Sequence, residues 1–223
     1  MQYLWIMKWD LAVFDLDGTL IDTIQDLGAA VGAAMAANSL PPHTLAEYRR
    51  MVGHGVKNLV RTAMPEELRT DEDLFGKCLA SFFDYYTSHI AVHSRPYPGM
   101  RGLLLDLGAS GTRIAVASNK FQAGTQTLIS TFFPDVEFAA VLGGRDDLPL
   151  KPDAAVIDLA REMAGAGPGS RVVMVGDSAT DIHTAANAGV DSIAVSWGFR
   201  PREELLAAGA IADDAEQLAA LLL

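Results

Sequence analysis

The sequence predicts a doubly wound α/β protein: a parallel, Rossmann-like sheet that carries an inserted helical cap domain. Three observations lead there. Short apolar runs recur at 11–14, 114–117, 139–142, 172–175 and 193–195, each stopped by polar residues or glycine. Their brevity and β-branched content read as buried parallel strands. Between them lie longer stretches with helical spacing, at 102–107, 125–132, 154–163 and 180–188, and this alternation calls for right-handed crossovers. Finally, the interval from about 23 to 98 breaks the rhythm. It holds helical patterns and no convincing strand, although a simple crossover needs only about a dozen residues.

The core domain is therefore assigned to 1–22 and 98–223, and the cap to 23–97. Within the cap, helices are expected over 24–37, 45–52, 56–63 and 73–89, with Pro41, Pro42 and Pro65 as breaks. Residues 96–99 mark the return to the core. From Pro201 onward the pattern gives two short helices around 210–212, a candidate edge strand. Gly28 and Gly32 have the spacing of a membrane-dimer motif, but Asp26 is close and the apolar run is short. Close packing between soluble helices is the expected use.

With 223 residues, half of them hydrophobic, the chain can bury a sizeable core as one domain with a large insertion or as two modest ones. A formal charge of -11 disfavours nucleic acid and anionic membrane surfaces as partners. A small anionic substrate then needs a local positive site. Cys78 is the single cysteine, so no internal disulfide exists and a cytoplasmic location is the default. The apolar opening at 3–9 is interrupted by Lys8 and bordered by Asp10, which argues against a signal peptide. No run approaches the roughly 20 apolar residues of a membrane helix.

The polar residues that end the apolar runs carry the chemistry. Asp15-Leu16-Asp17-Gly18-Thr19 ends the first, Ser118-Asn119-Lys120 the second, and Gly176-Asp177-Ser178 with Asp181 the fourth. In an open α/β sheet, ligands bind beyond the carboxyl ends of the strands, so these clusters converge on one rim. Lys151 precedes another crossover helix and can reach it. Each piece alone reads as a turn or a helix cap; their joint occurrence does not. Asp15, Asp17, Asp177 and Asp181 at one rim would repel one another without a cation, and hard oxygen ligands suit Mg²⁺.

The chain resembles the haloacid dehalogenase superfamily phosphatases, whose four motifs span Asp15 to Asp181. FDLDGTLIDT, VGHGVKNLV, SNK and SWGF resemble the phosphoglycolate phosphatase subgroup. That resemblance implies an Mg²⁺-dependent phosphatase in which Asp15 attacks phosphorus and forms an aspartyl-phosphate, while Asp17 supplies and then removes protons. It implies metal ligation by Asp15, the Asp17 carbonyl, Asp177 and Asp181, the last directly or through water. Phosphate would be held by Ser118, by Lys151 and by backbone amides around Gly18, Thr19 and Asn119. The substrate would be a small phosphorylated metabolite, 2-phosphoglycolate first, and the protein a monomer or homodimer. The rival readings are a β-phosphoglucomutase-like phosphomutase and a non-catalytic phosphate-binding module. A dehalogenase is disfavoured by the presence of Asp17, and a nucleotide switch by the lack of a GxxxxGK[ST] loop.

The weaker features mostly read as plain structural parts. His54 and Lys57 are the exception: in Gly53-His54-Gly55-Val56-Lys57 they stand at the start of a cap helix and are expected to contact the nonreacting end of the substrate. His89 and His93 lack the glutamate of a zinc-protease helix and read as a polar helix end. Phe82, Phe83, Tyr85 and Tyr86 read as packing. Cys78 reads as an inert apolar residue, and Asp146-Asp147 as loop charge able to orient Lys151.

Overall fold

The computed structural model describes residues 8–223, so the opening apolar stretch lies outside the described residues except for Lys8 and Trp9. The chain begins with β1 (Leu11–Phe14), each residue fully buried, followed by the two-residue β2 (Ile21–Asp22). Four helices come next: α1 (Ile24–Ala37), α2 (Leu45–Met51), α3 (Val56–Ala63) and α4 (Glu72–His89). A short β3 (Arg95–Pro96) returns the chain antiparallel to β2, pairing Ile21 with Pro96 and Asp22 with Arg95. The remainder alternates: α5 (Met100–Ser110), β4 (Arg113–Phe121), α6 (Gln122–Phe132), β5 (Ala140–Gly144), α7 (Ala155–Ala164), β6 (Val172–Gly176), α8 (Ala179–Ala188), β7 (Asp191–Val195), β8 (Ala210–Ala212) and α9 (Ala215–Leu222).

The six-stranded sheet has the order β5-β4-β1-β6-β7-β8, with every pairing parallel. β1 sits between β4 and β6. The chain winds outward from β1 to one side and then to the other, which opens a crevice beyond the ends of these three strands. One apolar cluster covers the cap-side face of the sheet and continues without a break into the helical insertion, from Phe14 and Val116 to Phe82 and Tyr86. A second cluster, with Leu11, Val13, Ile157 and Met174, covers the opposite face under α7 and α8.

The expected elements are present; the small β2–β3 pair is additional, with β3 inside the interval that reads as free of strands, and one expected strand differs in extent. β4 continues through Ser118, Asn119 and Lys120 to Phe121, with a register break against β5 between Ala117 and Phe121. Three consecutive polar residues end an apolar run in the sequence. Here they remain in the strand because the site buries them, at 5%, 6% and 6% exposure. Gly28 answers to close helix packing: a Cβ there would stand 2.9 Å from Leu45 and 3.2 Å from Tyr48, the residues by which α2 crosses α1. Among the described residues, no helix is long and apolar enough to cross a membrane.

Candidate active site

β1 delivers Asp15 to the centre of the crevice. One carboxylate oxygen accepts from the Leu16 amide at 2.7 Å and pairs with Lys151 Nζ at 2.9 Å, and the other has no partner among the described residues. The chain must then turn sharply. Gly18 has φ +88°, and a Cβ there would lie 2.5 Å from an Asp177 carboxylate oxygen, so glycine is required twice over. The turn is closed from within, with the Gly18 amide donating to the Ile21 carbonyl at 2.9 Å and the Thr19 amide to the Leu16 carbonyl at 3.3 Å.

Backbone amides around Gly18 and Thr19 are expected to hold phosphate; these two donate within the turn. They are spent on the turn itself, as a compact loop of this kind must satisfy its own backbone. The Asp17 amide and carbonyl instead carry no partner among the described residues.

Asp17 lines the same cavity but stands outside the cluster of three carboxylates. Thr23 Oγ1 donates to it at 2.6 Å, and Lys120 Nζ reaches its two oxygens at 3.1 and 3.3 Å. The same ammonium donates to the Tyr86 hydroxyl on cap helix α4 at 2.7 Å. Burial first, and then the negative charges of Asp17 and Asp26, hold the Tyr86 hydroxyl well above its ordinary pKa, so it stays neutral.

Lys151 lies 4% exposed between two carboxylates, with Nζ 2.9 Å from Asp15 and 2.6 Å from Asp181. Burial works against its charge. Asp15 and Asp181 together outweigh that penalty and hold the ammonium form above the ordinary lysine range. Asn119 fixes this lysine from the backbone, accepting from the Lys151 amide at 2.8 Å and donating to its carbonyl at 3.0 Å. It also donates to the Gly53 carbonyl of the cap at 2.9 Å. Its side chain is thus a positioning device. Ser118 Oγ accepts from the Lys120 amide at 3.2 Å, which leaves its proton free to donate.

β6 places the last acidic groups. A Cβ on Gly176 would fall 2.2 Å from Asp181 Cγ, and one on Gly198 2.2 Å from the Asp177 Cβ. Both glycines are there to admit aspartates. Asp177 accepts from the Phe199 amide at 2.6 Å. Asp181 accepts from Lys151 with one oxygen and, with the other, from the Ser178 amide at 3.1 Å and hydroxyl at 2.7 Å.

Asp15, Asp177 and Asp181 bring carboxylate oxygens within 4.8 Å of one another. Burial above all pushes Asp15 up to about 7, with Lys151 opposing and Asp181 and Asp17 adding to the rise. Burial likewise takes Asp177 to about 8, helped by Asp15 and Asp181 and opposed by the Phe199 amide and Arg200. Two buried carboxylates and the partly buried Asp15 against one lysine suit a hard dication held by oxygen, and the bare Asp17 carbonyl adds a neutral donor.

The cap roofs this rim over a cavity of about 50 Å³, measured to the centres of water molecules that fit in it. Its cap-side lining comes from Leu27, Val52, Gly53, Gly55, Val56, Leu59 and Phe82. His54 and Lys57 do not line it; Lys57 faces Asp146 at 3.8 Å across solvent. Glycines 53 and 55 and the apolar residues beside them form the wall that the sequence assigns to those two. Asp147 pairs with Arg145 at 2.9 Å, so neither acidic neighbour reaches Lys151.

Sequence reasoning misses Thr23, Lys120, Tyr86 and Arg200 as site residues. Lys120 stands in the Ser-Asn-Lys cluster, and its role is legible there. Tyr86 belongs to the aromatic stripe, whose Phe82 is packing as expected, and it differs only in where its hydroxyl ends. His89 caps its own helix through the Tyr85 carbonyl at 2.8 Å. Burial raises the Cys78 thiol and leaves it inert.

An acidic rim at the ends of three parallel strands, a lysine locked between two of its aspartates and a helical roof together define a class. The chain belongs to the haloacid dehalogenase-like hydrolases, whose family model matches residues 12–195. Among its relatives, a phosphoglycolate phosphatase of Mesorhizobium japonicum is 37% identical over 88% of this chain and 86% of its own. One from Caulobacter vibrioides is 36% identical over 83% of this chain and 78% of its own. The crystal structure of a predicted phosphoglycolate phosphatase from Haemophilus somnus superposes with TM-score 0.89 at 27% identity, covering 98% of this chain and all of that one.

Proposed function

We propose that the protein is an Mg²⁺-dependent phosphatase that hydrolyses a small phosphate monoester, 2-phosphoglycolate first, through an aspartyl-phosphate. The observation that carries this reading is the Asp15 carboxylate: one oxygen is fixed by Lys151 and the Leu16 amide, and the other, without a partner among the described residues, lines the cavity under the cap. The free oxygen attacks phosphorus in line as the ester P–O bond breaks, and the Asp17 carboxyl gives its proton to the departing alkoxide. Water then attacks the aspartyl-phosphate, loses a proton to the Asp17 carboxylate and releases inorganic phosphate and Asp15. Ser118 and the Asp17 amide supply donors to the phosphoryl oxygens, and Lys151 offsets their charge.

Asp15, the Asp17 carbonyl and Asp177 would hold the Mg²⁺ directly. Asp181, whose oxygens already accept from Lys151 and Ser178, would act through water. When bound, the ion screens the nucleophile from the anionic phosphoryl group.

Relatives named for phosphoglycolate support that substrate. The same reading includes a cytoplasmic enzyme, monomer or homodimer, that does not engage nucleic acid. Phosphate release from a metabolite panel with and without Mg²⁺ tests it, against an Asp15→Asn control. Isomer formation from β-glucose-1-phosphate without phosphate release would favour a mutase instead. Activity no higher than the control would leave a binding module.

A further inference from the structure

One wall of the cavity is left unused by phosphoryl transfer. Arg200, in the loop after β7, lines the cavity with a side chain 13% exposed. Its guanidinium donates to the Arg49 carbonyl at 2.9 Å and to the Val52 carbonyl, both in the cap, and Arg49 answers by donating to the Gly198 carbonyl. These partners are neutral. The nearest acidic group is Glu204, at 3.9 Å from Nε, on a side chain 48% exposed. Two of five N–H donors are therefore used, and the positive charge has no tight counterion among the described residues.

The other cation lining the cavity, Lys120, is committed to Asp17 and Tyr86. The neighbouring wall is apolar, with Val52, Val56, Leu59 and Phe199. Arg200 lines the same cavity as Asp15, Asp17 and Asp177. A desolvated guanidinium with spare donors, set among apolar groups in the cavity that holds the reacting end, matches a carboxylate in both charge and geometry.

We propose that Arg200 is a specificity-determining residue that receives the carboxylate on the leaving group, so that the enzyme selects short phosphorylated hydroxy acids over neutral phosphate esters. This rests on the phosphatase reading above and names the chemistry that sets its substrate class. Because the same guanidinium holds two cap carbonyls, a bound carboxylate also adds to the contacts that keep the roof in place.

The test compares 2-phosphoglycolate, 2-hydroxyethyl phosphate and 4-nitrophenyl phosphate in wild type, Arg200→Gln and Arg200→Lys, with melting temperature measured for each. Wild type should prefer the carboxylate ester. Arg200→Gln should lose roughly 100-fold in kcat/KM on 2-phosphoglycolate, mostly in KM, and stay within about threefold on the two neutral esters. Arg200→Lys keeps the charge without the fork and should fall between; it decides the matter if the glutamine variant does not fold. An equal loss on all three substrates would make Arg200 only a cap fastener, and no loss on 2-phosphoglycolate, or no wild-type preference for it, would also overturn the proposal. Absence of phosphate release from every ester by wild type with Mg²⁺ would instead sink the phosphatase reading.

Discussion

At the scale of single residues, the site is organised by charges that cannot stand alone. Asp15 and Asp177 are raised to about 7 and about 8 because burial disfavours their ionised forms, whereas in the unfolded chain both titrate near 4. Their sign follows: a carboxyl raised on folding stabilises the fold at low pH, and that contribution is lost as pH climbs through the raised values. A dication reverses this, since it binds only the deprotonated ligands and releases protons as it does so. Mg²⁺ should therefore raise the melting temperature more at about pH 8.5 than at about pH 6. Equal shifts at both would show that these aspartates are not its ligands. Asp15→Asn should abolish turnover, by roughly 10⁴-fold or more, since the free oxygen that takes the phosphoryl group is lost. Gly176→Ala drives a methyl into Asp181 at 2.2 Å and should cost about 1–3 kcal/mol in urea unfolding.

At the scale of elements, the join between cap and core depends on Asp26 in the first turn of α1. It is 1% exposed and accepts from the His93 amide at 2.9 and 3.0 Å, the Ser94 amide at 2.8 Å and the Ser94 hydroxyl at 2.7 Å. The start of the cap is thus pinned to its end beside the β2–β3 pair. Asparagine has one acceptor oxygen and would turn its NH₂ group toward these donors, so Asp26→Asn should destabilise by about 2 kcal/mol in urea. An unchanged midpoint would remove the pin.

What is legible in the sequence divides along the same line. Strand and helix identities follow from periodicity, because burial of one face imposes it locally. The aspartates of the rim are legible because they follow closely on two apolar runs, with Asp17 and Asp177 beside glycines. Asp26, Tyr86 and Arg200 are not, since their partners lie 67, 34 and about 150 residues away. A residue that acts across such a distance leaves no local pattern. At His54 and Lys57 the loop stands beside the cavity but lines it with Gly53, Gly55 and Val56 in place of those two side chains.

At the scale of the molecule, cap and core are covalently joined by only two chain crossings, β2 and β3, which would permit them to melt separately. Three kinds of contact oppose that. The cap-side apolar cluster is continuous from Phe14 in β1 to Phe82 in α4. Arg200, Arg49 and Asn119 bind cap residues 49–53 to the core through hydrogen bonds in both directions. The Lys120–Tyr86 bond ties the acid-base group to α4. Separating the two parts would expose the apolar seam and leave buried donors unpaired, whereas the crossings alone need not change. Unfolding should therefore be cooperative across both. Trp9 donates to the Leu221 carbonyl and Trp197 to the Thr19 carbonyl, both outside the cap, so their fluorescence reports the core, while far-UV circular dichroism weighs the helices of the cap as well. The two urea transitions should coincide; a dichroism change preceding the fluorescence change would show that the roof melts on its own and that these contacts fasten it only weakly.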